Sequence, residues 1–114
     1  MSTRRQFLTV LLSAAVTPVA ASGADEPFEV RITIRNHRFE PAEIEVLAGR
    51  PLKLIVTNAD SVPEEFESVG LKIERVIAPG KTAEFTVAPL RPTRNYKFFG
   101  EFHPATAQGR LIVK

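Results

Sequence analysis

Residues 28–35 read FEVRITIR, and their alternation decides the fold. Phe28, Val30, Ile32 and Ile34 fall on one side of an extended chain, with Glu29, Arg31, Thr33 and Arg35 on the other. Successive side chains of a strand point to opposite faces, so this stretch is a strand with one face buried. The same period of two runs outward from it to the C-terminus. NHRFEPAE (residues 36–43) interrupts it, and Pro41 bars a continuing central ladder. Ile44 and Val46 mark a second strand, ended by Ala48-Gly49-Arg50-Pro51. Leu52, Leu54 and Val56 mark a third, ended by TNADSVP. EEFES (64–68) is a fourth and LKIERVI (71–77) a fifth, followed by a turn at Ala78-Pro79-Gly80-Lys81. Ala83, Phe85 and Val87 form one face of a sixth, APLRPTRN is a loop, and Tyr96 and Phe98 open a seventh. Leu111 and Val113 face inward on the last. Seven to eight short strands with turn signals between them predict an all-β, Greek-key β-sandwich.

The N-terminus stands apart. MSTRRQFLTVLLSAAVTPVAASGA has a charged start, an apolar middle and a small-residue end, the layout of an export signal. Thr3-Arg4-Arg5-Gln6-Phe7-Leu8 resembles the twin-arginine consensus, and cleavage after Ala21 or Ala24 fits the small residues there. The expected organisation is therefore a signal over residues 1–24 and one domain over 25–114, in the periplasm. The apolar run is short for a lasting membrane span. Taking the two signal arginines from the 15 basic side chains leaves 13 against 13 acidic ones. A formally neutral mature chain carries no basic footprint for nucleic acid. Zero Cys excludes disulfides and any thiolate nucleophile or ligand.

Two His residues and two acidic clusters remain for chemistry. NADSVPEEFESVG carries Asp60, Glu64, Glu65 and Glu67. If EEFES is extended, Glu65 and Glu67 share one face, while Glu64, Phe66 and Ser68 share the other. Two carboxylates so close repel unless a cation sits between them. An acidic, solvated edge strand would read the same way. In GEFHP, one residue separates Glu101 from His103, so an extended backbone puts both on one side, and Pro104 biases His103 toward that conformation. Neutral imidazole is a common metal ligand, although a lone surface His is equally ordinary. His37, in a turn-forming stretch, is a further candidate ligand or supporting group. If the loops gather at one end of a sandwich, Glu65, Glu67, Glu101 and His103 can form one site. Carboxylate oxygen and imidazole nitrogen suit iron, copper(II), zinc or manganese, not copper(I).

IRNHRFEPAEIEVLAGRPLKLIVTNAD, VIAPGKTAEFTV, YKFFGEFHP and GRLIV together resemble a cupredoxin domain from about Phe28 to Val113. The "EP" turn, the triplet Glu65-Phe66-Glu67, the "IAPG" hairpin and the closing GRLIVK are similar to the cupredoxin-like domain of EfeO-type periplasmic iron-uptake proteins. They also resemble the small stand-alone component of ferrous-iron permease systems. The resemblance implies a sandwich that binds copper, iron or both at its loop end, helps oxidise ferrous iron, and serves an iron permease or another periplasmic uptake component. Glu65 and Glu67 match the acidic triplet, and His103 falls in the loop that supplies a His in ordinary cupredoxins. Glu64 or Glu65 stands where such proteins place their first His after "NxDxxP". The EfeO type has cysteines near the positions of Phe39 and Gly100, which this chain lacks. A type 1 blue-copper centre is thereby excluded, because the only Met is Met1 and there is no Cys. Delivery of metal without turnover, and a metal-free interaction module, are the alternative readings.

Overall fold

The computed structural model describes residues 26–114, so the expected signal at 1–24 lies outside the described residues. Nine strands and no helix occur among those residues. They are β1 (Phe28–Arg35), β2 (Arg38–Glu40), β3 (Glu43–Val46), β4 (Leu52–Asn58), β5 (Glu64–Ser68), β6 (Ile73–Ile77), β7 (Thr82–Val87), β8 (Asn95–Phe99) and β9 (Gln108–Val113). One sheet has the order β2-β1-β4-β7 and the other β3-β9-β8-β5-β6. Two pairings are parallel, β1 with β4 and β9 with β3, and the rest are antiparallel. The chain passes repeatedly from one sheet to the other, which makes the expected all-β sandwich.

The inner faces follow the alternation. Val30, Ile32 and Ile34 of β1 are buried, as are Leu52, Leu54 and Val56 of β4 and Leu111 and Val113 of β9. Each such side chain contributes about 1.5–3 kcal/mol on leaving water. Phe66 centres the core, with ring centroids 5.7 Å from Phe39, 5.6 Å from Phe85 and 5.2 Å from Phe98. Since Phe66 belongs to β5, the core fixes the face on which each neighbouring glutamate of EEFES emerges.

Eight of the nine strands lie where the alternation predicts them. The ninth, β2, occupies the stretch read as an interruption. Asn36 (φ 55°) and His37 (φ 60°) form a two-residue left-handed turn, and β2 pairs back onto β1 with Arg35 opposite Arg38 and Thr33 opposite Glu40. Such tight hairpin turns usually announce themselves by Gly at the second position, and here His stands there. Phe39 is the inward residue of the short strand, which then stops at Pro41.

Candidate metal centre

β5 supplies carboxylates to both of its faces. Glu64, Phe66 and Ser68 turn inward and are fully buried, while Glu65 and Glu67 emerge on the opposite face. The Glu64 side chain is only 1% exposed, yet it is a carboxylate. A buried charge of this kind needs dedicated partners. Among the described residues two imidazoles serve: His37 Nδ1 lies 2.8 Å from Oε2, and His103 Nδ1 lies 3.0 Å from Oε1. The imidazoles stack on one another, with centroids 3.6 Å apart and planes at 21°. A carboxylate only accepts, so in the metal-free protein this geometry assigns a proton to each Nδ1, and a metal ion held between these nitrogens and Glu64 would displace those protons. The two His side chains remain 43% and 34% exposed. The group therefore has a buried acidic floor and an open, imidazole-lined mouth.

Three loops deliver these residues to one end of the sandwich. His37 comes from the β1–β2 turn. The left-handed backbone of Asn36 and His37 is unfavourable for side chains other than Gly, although Asn tolerates it. Asp60, in the β4–β5 loop, holds it: Oδ1 accepts the Asn36 N–H at 2.7 Å and Oδ2 the His37 N–H at 3.0 Å. Burial works to raise the Asp60 pKa, but these backbone N–H groups, contact with Glu64 and the His37 charge outweigh it, and the net shift is downward. Asp60 is itself anchored through its N–H to Asn58 Oδ1 at 2.8 Å. The Asn58 amide, fully buried, donates to the carbonyls of Val62 and Ile77.

His103 comes from the β8–β9 loop, which is folded rather than extended. The His103 N–H donates to the Gly100 carbonyl, and the His103 carbonyl accepts from Ala107. These turns separate the directions of Glu101 and His103, correcting the expectation that the two share a side. The loop docks on β5 through Gly100 and Glu101. A Cβ on Gly100 would lie 2.8 Å from the Glu65 carbonyl and 3.1 Å from the Ala107 methyl, so only glycine fits without a shift. The next N–H, of Glu101, donates to Glu65 Oε1 at 2.8 Å.

A second group lies on the other face of β5. Glu65, Glu67, Glu74 and Glu101 each bring a carboxylate oxygen within 4.8 Å of the others. Glu74 stands directly opposite Glu67 in the β5–β6 ladder, a like-charge pairing that opposes folding. Burial, then the charges of Glu65 and Glu74, then a contact with Glu101, push the Glu67 carboxyl up to about 7. Its Oε1 is buried with no hydrogen-bond partner among the described residues. Such an orphaned acceptor fits a site for a cation or a retained proton.

The single site expected from Glu65, Glu67, Glu101 and His103 is thus divided. His103 joins His37 around Glu64, while Glu65, Glu67 and Glu101 gather with Glu74. Glu64 was legible as one of the acidic cluster and, with Glu65, as a residue following "NxDxxP", but it was not part of the expected site. Glu74 could have been found from the hairpin register, which places it across from Glu67. Asp60 is the Asp of "NxDxxP" and stands in the first acidic cluster, but nothing in the sequence points to its hold on the His37 turn. Both groups fit metal ions chemically. Two imidazole nitrogens and a carboxylate suit copper(II), iron or zinc, and four carboxylates suit a harder cation.

Two packed sheets with the His-bearing loops gathered at one end are the architecture of the cupredoxin class. The sequence profile of the cupredoxin-like domain family matches residues 6–113. An uncharacterized protein of Rickettsia prowazekii is 44% identical over 89 residues, which is 78% of this chain and 70% of that protein. Among solved structures, a purple cupredoxin from Nitrosopumilus maritimus superimposes with a TM-score of 0.56 at 25% identity, covering 74% of this chain and 98% of that one. Auracyanin A, a blue copper protein from Chloroflexus aurantiacus, gives 0.63 at 18% identity over 78% and 100% of the two chains. The metal binding domain of a Cu(I)-exporting P-type ATPase from Streptococcus pneumoniae, solved with Cu(I), gives 0.65 at 17% over 75% and 84%. The chain belongs to the cupredoxin-like domain family.

Proposed function

We propose that this is an exported, periplasmic metal-binding protein that takes copper, iron or both and assists iron uptake, in the manner of the EfeO-type domains. The observation that carries the reading is the placement of two unlike donor groups on opposite faces of one strand, beginning at the adjacent residues Glu64 and Glu65. His37, His103 and Glu64 would hold copper in a non-blue site, where copper(II) would take one electron from ferrous iron and become copper(I), with the dioxygen of air as the terminal oxidant. Glu65, Glu67, Glu74 and Glu101 would receive iron as substrate or cargo. Carboxylate oxygens favour ferric over ferrous iron, so the acidic group stabilises the oxidised product. The docked loop Gly100–Ala107 ties both groups to the same piece of backbone, since Glu101 and His103 are both part of it. The partner in this reading is an iron permease or another uptake component, and the N-terminal 24 residues act as the export signal.

The test is ferrous iron oxidation by the copper-loaded protein under air, beside Glu65→Gln/Glu67→Gln. Oxidation lost in the double variant supports the reading as stated. Iron binding without oxidation would leave a carrier that delivers metal without turnover. Absence of both copper and iron binding would leave an interaction module.

A further inference from the structure

We infer that Asp60 is the positioning residue of the His37–Glu64–His103 group: it fixes the left-handed turn that presents the His37 imidazole to the metal. This rests on the metal-binding reading above. The geometry is specific. Each oxygen of Asp60 accepts one backbone N–H, from Asn36 at 2.7 Å and from His37 at 3.0 Å. Those two residues are the ones with φ of 55° and 60°. Left-handed backbone costs roughly 1–2 kcal/mol at a residue with a side chain, so the turn needs an external restraint. No glycine relieves it.

Asp60 is suited to that restraint because it is held from behind. Its own N–H is bound by Asn58, whose amide is tied to Val62 and Ile77 in the core. The Ala59 N–H donates to the Ile34 carbonyl at 2.8 Å, clamping the same loop to the end of β1. The His37 ring is thus located from two sides, through its backbone by Asp60 and through Nδ1 by Glu64. Asp60 Oδ2 is also 3.7 Å from His37 Nδ1, so the same carboxylate lies beside the ring as well as on its backbone. Glu64 is placed by β5 and His103 by the β8–β9 loop, and the two keep their own contact at 3.0 Å although each also touches the His37 ring. Loss of Asp60 should therefore remove one imidazole and leave the other two donors.

The experiment titrates the metal-free protein with Cu(II) by calorimetry and counts coupled nitrogens by electron paramagnetic resonance. The variants are Asp60→Ala, His37→Ala, the double variant, and Asp60→Ala with Asn36→Gly. Outer partners of metal ligands typically contribute about 10- to 100-fold in affinity, and a loss of that size is expected for Asp60→Ala. The coupled nitrogens should fall from two to one. Asp60→Ala should add nothing on a His37→Ala background, since both changes remove the same interaction. Asn36→Gly should recover part of the loss, because glycine takes the left-handed conformation without strain.

Parental affinity and two nitrogens in folded Asp60→Ala would overturn the inference while leaving the metal reading intact. So would an equal loss on the His37→Ala background, which would make Asp60 a ligand itself. If the parent binds no Cu(II), or His37→Ala changes nothing, the metal reading falls and this inference with it. Asp60→Asn keeps one acceptor oxygen. Should the alanine variant not fold, Asp60→Asn carries the same comparison with a smaller expected loss.

Discussion

His103 Nδ1 lies 3.0 Å from Glu64 Oε1 across 39 residues of sequence, and the other oxygen of the same carboxylate lies 2.8 Å from His37 Nδ1. One buried carboxylate thereby draws the β1–β2 turn and the β8–β9 loop together. In Glu64→Gln one oxygen can still accept from one imidazole, but the charge is gone and an amide NH₂ faces the other. Copper(II) affinity should drop by about tenfold or more, while the urea midpoint changes little because the amide keeps the side chain's shape and the imidazole facing it can move its proton to Nε2 and accept at Nδ1. Calorimetry beside a denaturation curve separates the two effects. A large fall in stability with metal affinity unchanged would make Glu64 a structural tie only.

Gly100→Ala tests how the loop docks. The added methyl would meet the Glu65 carbonyl at 2.8 Å and the Ala107 methyl at 3.1 Å. The loop must then lift from β5, lengthening the bond from the Glu101 N–H to Glu65. Overpacking of this kind costs about 1–3 kcal/mol. Faster hydrogen exchange at the Glu101 amide is expected along with it. Parental exchange at that amide would mean that the loop is held elsewhere.

The acidic group predicts a pH dependence whose sign follows from Glu67. Its carboxyl titrates at about 7 in the fold, against 4.5 as the ordinary value. Between those values the folded state keeps a proton that the unfolded chain has released. Stability therefore falls as pH rises through this window and stays low above it. Glu67→Gln removes that slope, so the variant should gain on the parent at about pH 8 and match it at about pH 4. Urea midpoints across the range measure this. A parent and variant that run parallel would show that Glu67 is not the group responsible.

The strands were legible because the alternating residues also choose the inner face. Val30, Ile32 and Ile34 are read correctly by period alone, and EEFES divides Glu64 from Glu65 and Glu67 as expected. β2 escaped because its turn uses Asn-His where Gly is the usual signal. The grouping of donors was less legible. A strand pattern says which residues share a face, but not which loop lies over that face. Glu101 and His103 are two residues apart, yet turns within the loop send them to different groups. Asp60 was read as one of an acidic cluster, but its hold on the His37 turn, like the place of Glu74 across from Glu67, comes from tertiary contacts that local spacing does not carry.

Calorimetric titration of the metal-free protein with copper(II), beside His103→Ala, tests the metal centre most directly. Binding at one site that is weakened by about tenfold or more in the variant is expected, since His103 supplies one of only two imidazoles in the chain. An isotherm identical in the two proteins, or no heat of binding in the parent, would remove the His37–Glu64–His103 group as a copper site.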